Sequence, residues 1–442
     1  MEKHALHQRI RALRASSKHL AASSEQERNA LLLTIAENLR TAYPVIASAN
    51  DADVKAARES GQKESLIKRL IFSEEKLEAS LAGIRQVAQL ADPIGKVKLR
   101  RLLDTGLLLE QVTFPIGVIG MIFEARPDAL IQIVSLCLKS GNGIILKGGR
   151  EAQRTNTVLV DVIKHSCVDS HLGDAWLTLL ESHSDVDQIL GMDDEIDLLI
   201  PRGSNQFVKY VMEHTSIPVL GHADGICHLY IDEKADLQKA VEIAFDSKTQ
   251  YPAACNAVET ILVHEKVADK VLQSLAKRLS EGNVVIHGDS AVCSYIHAIP
   301  YEEGDWRREY LQNEVNIHIV DSLERAIDHI EAYGSHHTDV IVSEDSQAVR
   351  TFFSLVDSAD VFANCSTRFS DGYRFGLGAE VGISTAKIHA RGPVGLEGLM
   401  STKYLLSGCG QVVSSYAGPG PKPFLHEELS CEGHSMLTGE QL

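Results

Sequence analysis

Several patterns that mark whole classes of protein are missing from this 442-residue sequence. It has no excess of basic residues, because 43 Lys and Arg stand against 60 Asp and Glu, giving a formal net charge of -17. A general nucleic-acid partner requires a basic surface that neutralises phosphates, so we exclude that class. A local pocket for an anionic small molecule is still compatible with this charge.

Long apolar runs and paired cysteines are also missing. No apolar stretch approaches the length of a membrane span, and the residues after Met1 lack the apolar core of a secretory signal. The eight cysteines are scattered without a C-x-x-C pair, which is typical of reduced thiols in a cytosol. We therefore expect a cytoplasmic protein with no membrane partner, in which most cysteines are small buried hydrophobic residues.

The glycine-rich fingerprints of common nucleotide-binding folds do not occur either. The glycines within 117–120 and 376–382 do not match the Rossmann fingerprint in a strand–turn–helix context, and there is no Walker A motif. His426, Cys431 and His434 have spacings that metal ligands also show, but a polar C-terminal segment explains them better. We predict no metal.

What the sequence does contain is a repeated alternation of helical and strand patterns. Up to about residue 91, apolar residues recur at three- and four-residue spacing, as at Leu31, Ile35 and Leu39, which predicts amphipathic helices. From residue 115, short apolar strands alternate with helical stretches, which is typical of parallel sheets. Since the length suits two domains, we predict an α/β fold with two wound parallel-sheet domains.

Two further segments differ from this alternation. Residues 96–114 show strand-type alternation around the turn at 104–106, which predicts a β-hairpin. After Gln411 the sequence is polar and contains Gly-Pro-Gly-Pro at 418–421. We therefore expect residues 418–442 to form a weakly ordered polar tail.

One cysteine lies where a reactive group is expected. Cys255 follows a predicted helix and precedes a predicted strand, so it occupies a loop between two regular elements. Loops on a rigid scaffold often carry reactive side chains, but a single cysteine is more often part of a core than a nucleophile. The assignment therefore needs support from other residues.

Basic residues and glycines at strand ends supply that support. Lys147, Gly148, Gly149 and Arg150 follow a buried strand at the edge where parallel sheets bind ligands, and the two basic residues suit nucleotide phosphates. A solvated turn explains this stretch equally well.

A second strand ends in a similar way. Arg202, Gly203 and Ser204 lie between a predicted strand and a helix, whose first backbone amides are suited to receive a phosphate. The alternative is that Ser204 only caps the helix.

Four motifs together carry a resemblance to a known family. They are Phe-Glu-Ala-Arg-Pro-Asp at 123–128, Tyr-Pro-Ala-Ala-Cys-Asn-Ala at 251–257, and the segments 366–376 and 388–398. The chain resembles the gamma-glutamyl phosphate reductases of the aldehyde dehydrogenase superfamily, from its N-terminal helices to Gly410. Its cysteine loop is similar to that of the reductase half of the delta-1-pyrroline-5-carboxylate synthases.

The resemblance implies an aldehyde dehydrogenase-like fold and a division of the chain. It implies a cofactor-binding domain at 1–225, containing an oligomerisation hairpin at 96–114, and a catalytic domain at 226–390. A return to the cofactor and oligomerisation region at 391–417 precedes the tail at 418–442.

A reaction is implied as well. The thiolate of Cys255 would attack L-glutamyl 5-phosphate, release phosphate and leave a thioester, which NADPH reduces to L-glutamate 5-semialdehyde in proline biosynthesis. Asn256 is a further catalytic candidate. Arg126 stands where the superfamily has its oxyanion-hole asparagine, and we expect it to bind the departing phosphate in preference to stabilising the oxyanion.

Two departures from the superfamily pattern indicate that the reaction runs as a reduction and that the cofactor is NADPH. No Glu occurs in 220–226, where oxidative members carry their general base, so hydrolysis should be slow unless His222 or Asp224 substitutes. Arg150 replaces a glutamate that is common in NAD-preferring relatives, which favours NADPH. Glu314 matches the glutamate that contacts the nicotinamide ribose, with a surface carboxylate as the alternative.

The substrate's own carboxylate also needs a partner. The loop containing Ser366, Thr367 and Arg368 falls where relatives line the substrate entrance, and Arg368 is the candidate clamp. Arg374 and Arg391 are alternatives to it, or members of structural ion pairs.

The resemblance leaves other partners and functions open. We expect a homo-oligomer, and a glutamate 5-kinase is a possible partner. A hydrolytic NAD(P)-dependent aldehyde dehydrogenase with the same nucleophile is one alternative function. A catalytically silent scaffold for a glutamate kinase is another.

Overall fold

The first part of the chain is helical, as the apolar spacing predicts. The computed structural model describes residues 3–180, 184–222, 224–301 and 305–439. The second helix begins at a capping box, in which the Ser24 hydroxyl accepts the Glu27 N–H and the Glu27 carboxylate accepts the Ser24 N–H. These helices are α1 (Lys3–Ala22), α2 (Glu25–Thr41), α3 (Tyr43–Glu59), α4 (Glu64–Leu70) and α5 (Glu74–Gln89).

A β-hairpin follows the helices. Strands β1 (Val97–Asp104) and β2 (Leu107–Pro115) pair in antiparallel fashion, and Gly106 in the turn has a φ of +70°, which glycine adopts without strain. The hairpin predicted at 96–114 is therefore confirmed.

A four-stranded parallel sheet, in the order β5-β4-β3-β6, forms the centre of the first domain. Its strands are β3 (Val118–Phe123), β4 (Gly143–Gly148), β5 (Leu177–Leu179) and β6 (Leu198–Arg202). Buried apolar clusters cover both faces of the sheet, which explains why its strands are continuously hydrophobic. The helices of this domain are α6 (Pro127–Ser140), α7 (Gln153–Ser166), α8 (Ser184–Ile189) and α9 (Asn205–Glu213).

A seven-stranded parallel sheet, in the order β10-β9-β11-β8-β7-β12-β13, forms the second domain. Helices cover this sheet on both faces as well. Its strands are β7 (Cys227–Ile231), β8 (Val258–His264), β9 (Val285–Gly288), β10 (Ile299–Pro300), β11 (Glu314–Val320), β12 (Thr338–Val342) and β13 (Asp360–Ala363). Its helices are α10 (Leu237–Thr249), α11 (Glu265–Glu281), α12 (Ser290–Cys293), α13 (Leu323–Tyr333) and α14 (Ser346–Leu355).

The chain then returns to the first domain through a short ribbon of β14 (Gly382–Ser384) and β15 (Gly392–Val394). Ala379 and Val381 already lie in the apolar core of the first domain, so the return begins before residue 391, where the sequence analysis places it. Strand β16 (Met400–Ser407) completes the return by pairing with β2.

The polar tail is attached to the hairpin. Strand β17 (Glu427–Glu428) pairs with β1, and the Arg100 guanidinium donates to the carbonyls of Ser430 and Glu432, both at 3.0 Å. The expectation of weak order at 418–442 is therefore wrong for its described part, because backbone pairing with β1 and hydrogen bonds from the half-buried Arg100 hold it in place. Residues 440–442 lie outside that part. Across the described ranges, no helix is long and apolar enough to cross a membrane.

Candidate active site

Cys255 lies in the loop between α10 and β8, as the sequence predicts, and is half-buried. Its carbonyl oxygen accepts a hydrogen bond from the Cys227 thiol at 3.3 Å. The loop turns tightly, because the Ala257 N–H donates to the Ala254 carbonyl at 2.9 Å. Backbone contacts on both sides of Cys255 therefore fix its position.

Gly225 packs directly against the Cys255 backbone. A Cβ at residue 225 would lie 2.1 Å from the Cys255 carbonyl oxygen, so only glycine fits there. The Gly225 N–H donates to a carboxylate oxygen of Glu309 at 3.0 Å. Gly225 is not among the residues predicted from the sequence, although a glycine just before a buried strand is a signal of close backbone approach.

Two histidines lie beside the cysteine. His222, Cys255 and His337 each present a possible ligand atom, and these atoms lie within 4.8 Å of one another. The two imidazole rings are nearly perpendicular, with centroids 4.8 Å apart. His337 lies directly before β12 and is far from Cys255 in the sequence. It is not among the residues predicted from the sequence.

Arg126 lies in a strained turn between β3 and α6. It is exposed and occupies the N-cap position of α6, directly after Ala125, whose φ is +40°. This conformation is unusual for a residue with a Cβ, and it is held by a 2.7 Å hydrogen bond from the Ala125 N–H to Glu151. The turn therefore fixes where the Arg126 side chain leaves the backbone.

Arg202, at the end of β6, is a functional candidate that sequence analysis treated only as part of a strand end. Burial lowers the pKa of Arg202, while the charges of Glu380 and Cys255 raise it and that of Arg126 lowers it. Its guanidinium also lies against Gly382, where a Cβ would be 2.8 Å from one Nη atom. A second cation is thus close to both the cysteine and Arg126.

The loop from Ser366 to Ser370 contributes a third cation. Burial lowers the pKa of Arg368, and the charge of Cys255 raises it. The Arg368 Nε–H donates to Gln250 at 2.9 Å. Asn256, next to the cysteine, donates to the Ser370 carbonyl at 2.6 Å, so it connects the two loops.

Ser366 and Thr367 are buried in this loop and hold its shape. The Ser366 hydroxyl accepts the Arg368 N–H, and the Thr367 N–H donates to the hydroxyl of Ser247 in α10. Arg391 forms an ion pair with Asp357 at 2.8 Å, as the structural alternative for that residue predicts.

Four of the seven residues predicted to hold the nucleotide line one small cleft. Lys147, Gly148, Gly149 and Arg150 form its wall at the end of β4. Asn156 of α7 also lines it and is 1% exposed, yet neither polar atom of its side-chain amide has a partner among the described residues. A buried amide without partners is costly, and a hydrogen-bonding ligand in the cleft would satisfy it. These residues therefore fit a phosphate-bearing cofactor.

A carboxylate of the same chain already contacts the backbone at the start of α9. The Ser204 N–H donates to a carboxylate oxygen of Glu124 at 2.9 Å, and a Cβ at Gly203 would be 2.7 Å from the same atom. Ser204 occupies the N-cap position, but its side chain makes no capping hydrogen bond in the described part of the chain. The backbone geometry suits a phosphate, with Glu124 as the group that such a phosphate would displace.

Two glutamates lie along the edge of the second sheet. Glu314 begins β11, and its carboxylate contacts His287 at 2.9 Å. Glu309, which sequence analysis missed, accepts hydrogen bonds from Asn205 at the start of α9 and from Gly225 beside the cysteine. Burial raises the pKa of Glu309. Glu309 thus links the expected phosphate position with the cysteine loop.

Comparisons with known proteins agree with this arrangement. The model of the aldehyde dehydrogenase family matches residues 1–298. A protein of Synechocystis sp. named gamma-glutamyl phosphate reductase 1 is 51% identical over 425 residues, covering 96% of this chain and 98% of that protein. The chain belongs to the gamma-glutamyl phosphate reductase branch of the aldehyde dehydrogenase family.

Further relatives of this family support the same placement. A gamma-glutamyl phosphate reductase of Natronomonas pharaonis is 50% identical, covering 96% of this chain and 98% of that one. The crystal structure of gamma-glutamyl phosphate reductase from Thermotoga maritima matches with a TM-score of 0.90 at 36% identity, covering 92% and 99% of the two chains. The predicted aldehyde dehydrogenase-like α/β fold is therefore confirmed.

Proposed function

We propose that this chain is an NADPH-dependent reductase that converts L-glutamyl 5-phosphate to L-glutamate 5-semialdehyde with release of phosphate. Relatives about half identical to it over nearly their whole length are named for reduction of gamma-glutamyl phosphate. The observation that carries the proposal is the half-buried Cys255 with the cationic side chains of Arg202 and Arg368 close to it. A thiol among fixed cations suits attack on an anionic acyl phosphate.

The first step belongs to Cys255. Its thiolate attacks the acyl carbon, a C–S bond forms, and the C–O bond to phosphate breaks, so that a thioester and inorganic phosphate result. Arg202 and Arg126 are the groups we assign to the departing phosphate, because guanidinium groups bind phosphate oxygens in a bidentate way. The backbone N–H of Cys255 is assigned to the developing oxyanion.

The residues around the thioester favour reduction over hydrolysis. No glutamate occurs at 220–226, and burial lowers the pKa of His222, whose Nδ1–H is already donated to the Ile383 carbonyl. Glu309 is held by two hydrogen bonds. The absence of a glutamate at 220–226, where oxidative relatives carry their general base, favours the reductase over the hydrolytic dehydrogenase.

We assign the cleft at the end of β4 and the start of α9 to a nicotinamide dinucleotide. When bound, the nicotinamide supplies a hydride to the acyl carbon. Lys147, Arg150 and Asn156 would hold the adenosine phosphates, and the amides at Gly203 and Ser204 would hold the pyrophosphate once Glu124 moves away. Glu314 is the proposed partner of the nicotinamide ribose, with Glu309 nearer to the cysteine loop.

Arg368 is the proposed clamp for the carboxylate of the substrate. The buried Ser366 and Thr367 hold its loop, and Asn256 ties that loop to the nucleophile. In this arrangement one loop recognises the glutamyl end of the substrate, and the loop connected to it carries the cysteine that attacks the acyl carbon. Loops held in this way position the reacting atoms, which is a large part of catalysis.

We further propose that the hairpin sheet joins copies of the chain. Strand β16 is an edge of its four-stranded sheet, and Tyr404 and Leu406 on it are 63% and 58% exposed. An exposed apolar sheet edge is suited to pairing with a second chain. Sedimentation of the purified chain tests this, and a monomer at micromolar concentration would contradict it.

The reaction is tested in the reverse direction. We expect the protein to oxidise pyrroline-5-carboxylate with NADP only when inorganic phosphate is added. Formation of NADPH is measured with and without phosphate, and with NAD in place of NADP. Formation of free glutamate at the same rate without phosphate would identify a hydrolytic dehydrogenase instead.

Replacing Arg150 by alanine should change the choice of cofactor. The substitution removes the proposed charge-assisted contact to the 2′-phosphate, so KM for NADPH should rise about tenfold while KM for NADH stays within a factor of two. Arg154→Ala is the matched control, since Arg154 lies four residues further along, in the first turn of α7, and pairs with Asp53. Equal changes for both cofactors would contradict this role of Arg150.

Adding a methyl group at Gly225 should disturb the nucleophile. The new Cβ would overlap the Cys255 carbonyl oxygen at 2.1 Å, so the loop must move, and we expect kcat to fall tenfold to a hundredfold. Gly221→Ala is the control, because its nearest neighbour to a new Cβ is a Pro201 side-chain atom at 3.6 Å. Unchanged kcat in Gly225→Ala would mean that the loop position is not critical.

A further inference from the structure

We propose that His222, Cys255 and His337 form a zinc(II) site that holds the nucleophilic sulfur and reversibly blocks the enzyme. Each of the three side chains presents one possible ligand atom, and all three atoms lie within 4.8 Å of one another. One thiolate and two imidazoles are the ligand types that zinc(II) prefers in tetrahedral sites. The proposal goes beyond the reductase reaction, which needs no metal.

The two histidines have the surroundings of metal ligands. The Nδ1–H of His222 donates to the Ile383 carbonyl at 2.9 Å, which fixes the tautomer with a lone pair on Nε2. The Nδ1 of His337 contacts the Thr338 hydroxyl at 2.8 Å. Metal-binding histidines commonly hold their second nitrogen in this way, because it fixes the ring for the metal.

The second nitrogen of His337 is the independent observation. His337 is fully buried, and its Nε2 has no hydrogen-bond partner within the described ranges. A buried imidazole nitrogen without a partner is unfavourable, since it has lost water and gained nothing in return. We assign this nitrogen to the metal, and a metal–nitrogen bond would satisfy it.

The distances require a small local movement. Zinc bonds of about 2.0–2.3 Å in a tetrahedral site place neighbouring ligand atoms ~3.5 Å apart. The longest separation of 4.8 Å must therefore shorten by about 1 Å, which rotation of the half-buried cysteine and His222 side chains supplies. The fourth position is left to water.

Charged side chains of both signs surround the site. Arg202 opposes a cation, because its charge acts on both His222 and Cys255. Glu309 and Asp224 favour a cation, since both carboxylates act on His222.

Cobalt(II) is the probe that distinguishes this site from others. It takes the same ligands as zinc(II), and a thiolate–cobalt bond gives a charge-transfer band in the near ultraviolet. We expect the whole protein, without substrates, to bind one cobalt(II) with this band, and one equivalent of zinc(II) to remove it. Zinc(II) should also protect Cys255 from iodoacetamide, measured by mass spectrometry.

The variants decide which side chains bind the metal. Cys255→Ser should abolish the band, and His222→Gln or His337→Gln should weaken cobalt(II) binding at least tenfold. Cys293→Ser and His336→Asn serve as matched controls that should bind as the parent does. Thermal unfolding without metal checks that each variant is folded, and His222→Gln provides the test if the buried His337→Gln is not.

Two outcomes would overturn the proposal. One is the lack of a thiolate band in the parent protein. The other is a band that survives Cys255→Ser or is equally strong in both histidine variants, which would mean metal binding elsewhere. Because the titration requires no turnover, failure of the reductase assay would leave this result unaffected.

Discussion

Cys255→Ser is expected to lower kcat by roughly 10⁴-fold or more while leaving the affinity for NADPH unchanged. Serine keeps the shape of the side chain, but its hydroxyl is a much weaker nucleophile than a thiolate without a base to deprotonate it. Burial lowers the pKa of the nearby His222, so its imidazole is a weak base for a serine hydroxyl. The measurement is kcat in the reverse assay, with NADPH affinity from fluorescence titration.

The Cys255→Ser variant should also fail to form the covalent thioester intermediate. When the parent protein is mixed with pyrroline-5-carboxylate and NADP without phosphate, intact mass spectrometry should show one glutamyl group added, and Cys255→Ser should show none. Cys293→Ser is the control, since its sulfur contacts backbone carbonyls away from this loop. Retention of more than one per cent of kcat in Cys255→Ser would contradict the assignment of the nucleophile.

The parts of the molecule that sequence predicts well are those with local causes. The helices up to Gln89 follow from apolar spacing, the hairpin follows from alternation around Gly106, and the Cys255 loop follows from its place between α10 and β8. Each of these depends on residues that are neighbours in the chain. The tail was misjudged because its partner, Arg100 on β1, lies more than 300 residues earlier.

The missed residues of the site depend on contacts between distant segments. Gly225 is identified by its approach to the Cys255 backbone, and His337 by an imidazole nitrogen that lacks a partner in the described chain. Each of these features depends on how two domains or two strands pack. The position of Gly225 just before a buried strand is a sequence signal of close approach, but it does not say which segment approaches. Asn156 belongs to the same group, since only the folded cleft shows that its amide is buried and unpartnered.

Arg202 differs, because sequence held the information needed to find it. The parallel strands β3, β4 and β6 are neighbours, so their carboxyl ends meet at one edge of the sheet. Arg126 follows β3, Lys147 belongs to the end of β4, and Arg202 ends β6. The rule that selected Lys147 therefore also predicts that Arg202 faces the ligand, and the next prediction tests it.

Arg202→Met is expected to lower the phosphate-dependent rate a hundredfold to a thousandfold. This corresponds to a loss of about 2.7–4 kcal/mol of transition-state stabilisation, the order of magnitude for removing one preorganised donor. Methionine keeps much of the side chain's bulk without its charge. KM for phosphate in the reverse assay should rise together with this loss. Arg202→Lys should recover part of the rate, because it restores the charge but not the bidentate geometry.

Arg202 could act either by binding phosphate or by activating the Cys255 thiol. The two roles are distinguished by which step of the reaction slows in Arg202→Met. Stopped-flow mixing of Arg202→Met with pyrroline-5-carboxylate and NADP should still give one equivalent of NADPH rapidly, since formation of the thioester involves no phosphate. The following steady state should be slow, because the acyl group then waits for phosphate to attack. If the burst and the steady state slowed together, Arg202 would act on the Cys255 thiolate, and the phosphate would be bound by Arg126 alone.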